Sequence, residues 1–316
     1  MVLTASTIQI QDQWDLYPHR WPALMESSPE SMLNAFTVDV EDYFQVSAFE
    51  TCVARERWPE FESRVEANTL RIADLLDETH VRGTFFILGW VAKRFPGLVR
   101  ELHARGHEIG SHSYWHRLIY SQAPEEFRED LKRSRDVLQD LLGVPVVAYR
   151  APSFSITQKS LWALDILSEE GFQIDSSIFP VYHDRYGIAG ARPDIHFRET
   201  ASGPLAEFPP TVFKLGWWNL PVSGGGYFRL YPFAFTRYCL SQVNKRTKHP
   251  FMFYIHPWEV DPQQPRLPGP SAMSKMRHYV NLHTTEAKLR MLLGQFEFGR
   301  VDQIVAKYTD LIRSAC

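Results

Sequence analysis

Residues 81–111, VRGTFFILGWVAKRFPGLVRELHARGHEIGS, decide the fold class. The apolar run at 81–88 is strand-sized and is closed by Gly89. A helical stretch then reaches about Arg105; Pro96 is tolerable there only at a first turn or a kink, and Gly106 stops it. Residues 107–111 read as a second strand. Strand, helix and strand make a βαβ unit, and such units build parallel sheets. The alternation continues both ways. Upstream, residues 35–40 form a buried strand that runs into acids. A helix over 68–79 follows, with Leu70, Ala73 and Leu76 on one face and Asn68 as its N-cap. Downstream, Pro124 opens a helix over 125–142 as an N1 proline, and Gly143 ends it. A strand at 144–149, a helix at 158–170 stopped by Gly171 and a strand at 172–174 come next.

Several such units without a phosphate-type glycine loop favour a distorted, nearly closed (β/α) barrel over a doubly wound sheet. From Tyr182 to Phe228 the chain turns to Pro, Gly and aromatics. A helix at 232–243 and a strand at 251–255 resume the alternation, a proline-rich loop spans 257–270, and helices near 285–293 and 301–313 follow. The expected organisation is a mobile leader at 1–33, a barrel at 34–262 and a C-terminal helical extension at 263–316 packed on it.

The 34 basic residues against 37 acidic ones leave a formal charge of −3, which excludes the basic footprint of a nucleic-acid binder. The longest apolar runs are strand-sized, well short of the ~20 residues a spanning helix needs. Three scattered cysteines, Cys52, Cys239 and Cys316, carry no CxxC spacing and fit a reducing compartment. No basic start followed by an apolar stretch is visible, so the cytoplasm is expected.

The chemistry-bearing residues all sit where strands end, which in a parallel barrel is a single rim. Asp39, Glu41 and Asp42 follow the first strand; His112 and His116 follow Ser111; Arg150, Asp175 and His256 end three others. Two histidines four apart in a polar loop are either solvated or, with one added acid, an open metal site, since a structural site would be closed by four protein ligands. Three acids hemmed in by Phe36, Val38, Tyr43 and Phe44 need positive charge, from a metal or from Arg150. Asp175 is the acid expected to orient His256 and raise its affinity for a proton.

Together these segments resemble the NodB-type polysaccharide deacetylases, carbohydrate esterase family 4. Thr37-Val38-Asp39-Val40-Glu41-Asp42 looks like the family's acid motif, and His107 to His116 is close to its H-[ST]-x-x-H signature and lead-in. Arg150-Ala151-Pro152-Ser153-Phe154, Asp175-Ser176-Ser177 and Ile255-His256-Pro257 resemble the later motifs, in the right order. Asp39 to Phe44, Gly224 to Arg229 and His278 to Leu282 are similar to a subgroup linked to exopolysaccharide and exosortase gene clusters.

The resemblance implies a divalent ion, zinc or another first-row metal, held by His112, His116 and Glu41, with Asp42 in reserve because the usual adjacent acid pair is replaced. It implies Asp39 as general base held by Arg150, and His256 paired with Asp175 as general acid. The substrate implied is an N-acetylated oligo- or polysaccharide in an exopolysaccharide or its precursor, with release of acetate, inside the cell and in contact with an exopolysaccharide assembly complex. A backbone N–H near Tyr149 or Tyr182 is the expected oxyanion donor. Trp217, Trp218, Tyr227 and Phe228 either stack on sugar rings or pack the barrel mouth. Glu207, at the end of another extended piece over 206–208, either reaches the pocket or, as favoured, is a surface acid; Arg229 either contacts a substrate carboxylate or, as favoured, forms a salt bridge. Two other readings stay open: an amidohydrolase for a small non-sugar amide or ureide, and an inactive carbohydrate-binding protein of the same fold.

Overall fold

In the computed structural model, which describes residues 32–183, 185–269 and 271–315, strand β1 (Leu33–Val40) is buried along almost its whole length. The leader expected at 1–33 lies, up to residue 31, outside the described residues. Helix α1 (Val65–Glu78) leads to β2 (Thr84–Ile87). The helical stretch that follows is two helices, α2 (Gly89–Arg94) and α3 (Pro96–Ala104), with Pro96 at the first turn of the second. After β3 (Glu108–Ser111) come α4 (Pro124–Leu142), β4 (Ala148–Tyr149), α5 (Trp162–Glu169) and β5 (Ile174–Asp175). The Pro- and Gly-rich region holds four strands: β6 (His196–Thr200), β7 (Gly203–Glu207), and the hairpin β8 (Val212–Leu215) and β9 (Trp218–Pro221). Helices α6 (Gly225–Leu230) and α7 (Phe233–Thr247) precede β10 (Met252–Ile255). The chain continues through α8 (Ala272–Tyr279), α9 (Leu282–Leu293), β11 (Glu297–Gly299) and α10 (Val301–Ala315).

The main sheet runs β10-β1-β2-β3-β4-β5-β7-β6, parallel except for β6, and β11 pairs in parallel with the first residues of β1. The C-terminal segment, expected to be helical only, thus adds a strand to the sheet. No ladder among the described residues joins β10 to β6. The Met252 N–H nevertheless donates to Thr211 Oγ1 at 2.8 Å, so the segment after β7 meets β10 across the gap. The α/β class with a parallel sheet is as expected.

Strand register sets the rim. Val40 pairs with Ile87, Ile87 with Ser111, Ser111 with Tyr149, Tyr149 with Asp175, and Asp175 with Glu207. One row of residues therefore ends six strands, and the next residue along each emerges at the same mouth. Alternation along β1 sends Phe36, Val38 and Val40 into the main core cluster, which includes buried residues of α1 to α5. It sends Ala35, Thr37 and Asp39 the other way.

The inner side is narrow. Ala35, Ala148 and Ala206 cluster there with Phe86, Met252 and four residues of α10: Val301, Ile304, Val305 and Tyr308. Small side chains leave room for that helix to pack against this side of the sheet. At Gly110 a Cβ would stand 2.6 Å from the Phe86 ring, so no larger residue fits. Burying each large α10 side chain contributes roughly 1.5–3 kcal/mol.

Candidate active site

The loop after β3 is a tight turn rather than a helix. Ser113 and His116 both adopt left-handed backbone angles, with φ of 66° and 53°. Asp130 of α4, itself buried, accepts hydrogen bonds from the N–H groups of Tyr114 at 2.7 Å and Trp115 at 3.1 Å. That anchor offsets the strain of the turn and presents both imidazoles inward.

The ligand atoms of Glu41, His112 and His116 lie within 4.8 Å of one another, and all three side chains are buried. His112 Nδ1 donates to the Arg150 carbonyl at 2.8 Å, which leaves Nε2 with its lone pair facing the site. Burial pushes this imidazole down to about 4, so it stands as a neutral ring. Glu41 Oε2 is 2.6 Å from His116 Nε2 yet accepts no hydrogen bond. The ring N–H is not aimed at the oxygen, as expected of two donors that share a third centre. Burial would raise the Glu41 carboxyl, but His116, His256 and His112 outweigh it and hold the acid at about 2. Its other oxygen accepts from Trp258 Nε1 at 3.1 Å. A buried carboxylate with an unsatisfied oxygen and two imidazoles is a donor set that fits a divalent first-row metal.

Asp39 lies two residues before Glu41, near the end of β1. Arg150, fully buried, grips its Oδ1 at 2.6 Å and also donates to Thr37 Oγ1 at 2.8 Å and Ser176 Oγ at 2.9 Å. The guanidinium rests on the Phe86 ring, 4.2 Å from its centroid. With Oδ1 occupied, Asp39 Oδ2 is turned to His256 Nε2 at 3.9 Å.

His256 follows β10, and its partner is Glu259, not Asp175. Its Nδ1 donates to Glu259 Oε1 at 2.7 Å, and its backbone N–H donates to the same oxygen at 3.1 Å. Burial alone would lower this imidazole, but the hydrogen bond and charge of Glu259, with Glu41 and Asp39, raise it to about 9. Nε2–H is thus left facing the site. Glu259 is held in turn by Arg229 at 2.6 Å, which also donates to the carbonyls of Arg277, His278 and Val280. Arg229 is a salt-bridge partner, as its sequence setting suggested, and both members of the pair are buried. Trp258 stacks between His256 and His278, with centroid distances of 5.1 and 4.1 Å.

Several expected residues do other work. Asp42 turns away from the metal group. Its carboxylate accepts from Ser63 Oγ at 2.6 Å, from the N–H groups of Arg64 at 3.0 Å and Val65 at 3.2 Å, and from Tyr43 N–H at 3.0 Å. It is a cap for α1 delivered from a distant part of the chain, and it replaces Asn68, which lies inside that helix. Asp175 hydrogen-bonds Ser177 and stands beside Glu207 in the adjacent strand. Glu207 is buried rather than at the surface. Burial pushes Asp175 up to about 6 and Glu207 well above its usual range, so this pair beside Arg150 shares a proton. Asp175 cannot serve His256 because its side chain is committed there.

The Tyr149 side chain is fully buried and its hydroxyl meets Ser113 Oγ at 2.7 Å, under the histidine loop rather than in the mouth. Tyr182, Trp217 and Trp218 are exposed, while Tyr227 lines a cavity of about 400 Å³ with Tyr254, Trp258 and Arg277. Sequence reasoning missed Glu259, Trp258 and Asp130. The signal for Glu259 was legible: His-Pro-x-Glu is a capping-box spacing, which folds the acid back on the residue before the proline.

The family model described as polysaccharide deacetylase matches residues 58–172, and one described as a domain of unknown function, DUF3473, matches 176–306. A peptidoglycan-N-acetylglucosamine deacetylase of Bacillus cereus is 33% identical over 107 residues, 34% of this chain and 38% of that protein. A peptidoglycan deacetylase of Helicobacter pylori is 25% identical over 133 residues, 41% of this chain and 44% of that protein. The matches thus span about two fifths of these curated relatives. Among solved structures, a "putative polysaccharide deacetylase" of Mycobacterium smegmatis superposes with a TM-score of 0.59 at 21% identity, over 91% of this chain and 93% of that one. The PuuE allantoinase also gives 0.59, at 15% identity over 93% and 95%. At these identities the structures share the fold. The stretch matched by the polysaccharide deacetylase model holds His112, His116 and Arg150, and the stretch matched by DUF3473 holds His256 and Glu259. Residues 58–172 are thus similar to the polysaccharide deacetylase family, and residues 176–306, which follow directly, to the DUF3473 family.

Proposed function

We propose that the protein is a metal-dependent N-deacetylase of amino sugars in an exopolysaccharide or its precursor. The observation that carries this reading is the convergence on one mouth of Glu41, His112 and His116 with the Arg150-held Asp39 and the Glu259-held His256. A divalent ion held by the first three, zinc or another first-row metal, supplies Lewis acidity to the N-acetyl carbonyl and to water. Asp39 Oδ2 takes the proton of the attacking water, since Arg150 occupies Oδ1 and fixes the carboxylate plane. His256 Nε2 gives its proton to the amine nitrogen as the C–N bond breaks, which matters because an unprotonated amide nitrogen is a very poor leaving group. Acetate and the free amino sugar are the products.

The subgroup reading rests on the Asp39–Phe44, Gly224–Arg229 and His278–Leu282 stretches. Their residues include Glu41, Arg229 and His278, which surround the aromatic wall behind His256. Acetate release from N-acetyl-oligosaccharides by zinc-loaded protein, beside a His112→Ala variant, tests the proposal. Equal rates from the two proteins would sink it, and turnover of allantoin without acetate release would move the substrate to the ureides.

A further inference from the structure

From Phe208 to Trp258 the chain carries no Asp or Glu, although it holds Lys214, Arg229, Arg237, Lys245, Arg246 and Lys248 in a protein of net charge −3. All of these cations but Arg229 are exposed. The same stretch folds into the β8–β9 hairpin and helix α7. At the hairpin tip Trp217 is 92% exposed, Trp218 69% and Leu215 64%. Asn219 Nδ2 donates to the Pro180 carbonyl at 2.7 Å, which ties β9 to the segment carrying Tyr182, 93% exposed.

Hairpin and helix form one surface. Arg246 lies over the Phe213 ring of β8 at 5.4 Å, and Tyr238 meets the same ring at 6.4 Å. Phe235, Tyr238, Lys245 and Arg246 fall at helical spacing on one exposed face of α7, beside the hairpin. No helix among the described residues is long and apolar enough to cross a membrane. We propose that this surface docks the protein on a bilayer of anionic phospholipid, with the Trp tip in the headgroup layer and the cations over it. Amphipathic rings with an apolar body and a polar N–H or O–H favour that layer, and juxtaposed cations favour anionic lipid. A sugar platform fits less well. The rings project from a convex tip rather than lining a cleft, and Leu215 offers a glycan no flat face.

The test is co-sedimentation of the full chain with vesicles of phosphatidylcholine alone and of phosphatidylcholine mixed with phosphatidylglycerol, beside retention on immobilised alginate. The expected result is sedimentation with the anionic vesicles only. Trp217→Ala/Trp218→Ala should weaken it at least tenfold. Lys245→Ala/Arg246→Ala should weaken it about thirtyfold, from about 1 kcal/mol per cation near the surface. Thermal unfolding should be unchanged in the Trp variant and fall only slightly in the other, which gives up the contact of Arg246 with the Phe213 ring. No sedimentation with anionic vesicles would overturn the proposal, as would binding indifferent to both double variants. Loss of alginate retention in the Trp variant, with vesicle binding intact, would assign the surface to an acidic glycan instead.

Discussion

Glu259→Gln isolates the contact on which the orientation of His256 depends. In the folded protein Glu259 has no exposed surface and Arg229 almost none, and the guanidinium meets the carboxylate at 2.6 Å. Removing the charge leaves a buried guanidinium with three backbone carbonyls for company. Breaking one side of a buried pair costs about 3–5 kcal/mol. The Gln amide oxygen still accepts one hydrogen bond, which places the expected loss at the low end, about 3 kcal/mol. Arg229→Met costs a similar amount, because it strands Glu259 with His256 alone and releases the 277–280 carbonyls. The double variant should fall short of the sum of the two by at least about 1 kcal/mol, since each single change already destroys the shared contact. Urea unfolding of the four proteins, followed by Trp fluorescence, gives the cycle. Acetate release gives the second readout: kcat should drop at least about tenfold in Glu259→Gln with KM unchanged, as an imidazole without its anchor loses aim rather than substrate. Additivity within about 0.5 kcal/mol, or a KM effect with kcat intact, would refute the reasoning.

Asp42→Ala should lower stability by about 3 kcal/mol, because it strips a cap and two buried amides of their acceptor, while zinc affinity by calorimetry stays within about twofold. Glu41→Ala should show the reverse, and loss of zinc from the Asp42 variant would restore that acid to the metal group. Asp130→Ala, not itself a ligand but holding the histidine turn through the N–H groups of Tyr114 and Trp115, should weaken zinc binding by about 10–100-fold; an unchanged dissociation constant would mean the turn holds itself. Gly224→Ala should destabilise by at least about 3 kcal/mol on chemical denaturation, because its φ of 146° suits glycine and a Cβ would fall 1.9 Å from the Tyr254 carbonyl oxygen. Wild-type behaviour there would show that the backbone at 224 relaxes freely.

The rim was legible because strand ends announce themselves: an apolar run stops and a polar residue of defined chemistry follows, as at Asp39, His112, Arg150 and His256. Which acid serves which base was not legible. Asp42 and Glu41 are neighbours in sequence, but a one-residue step at a strand end swings a side chain to the other face, and that step separates a helix cap from a ligand. Asp175 and Glu259 are both acids near a strand end, and only the turn made by Pro257 brings the second onto His256. Of the four strands at 196–221 only the end of β7, around 206–208, was legible; the others were hidden because their apolar pattern is broken by glycine, proline and charge. β11 was hidden because three residues are too few to show a period. The exposed Trp pair could not be told from core aromatics, since a hairpin tip and a buried strand spell alike.

The first strand has to wait for its neighbours. The Thr37 hydroxyl bonds a carbonyl 216 residues further along the chain, and Asn34 reaches one 263 residues away. While the polypeptide leaves the ribosome, β1 can pair with β2 early, but its other edge stays open until β10 has been made, and its first residues until β11 has. Long-range closure of this kind is slow and exposes sticky backbone in the meantime. A shortened product lacking β10 and β11 would thus leave Glu41 at the end of a strand paired along one edge only, an exposed edge that chaperones and proteases would meet first.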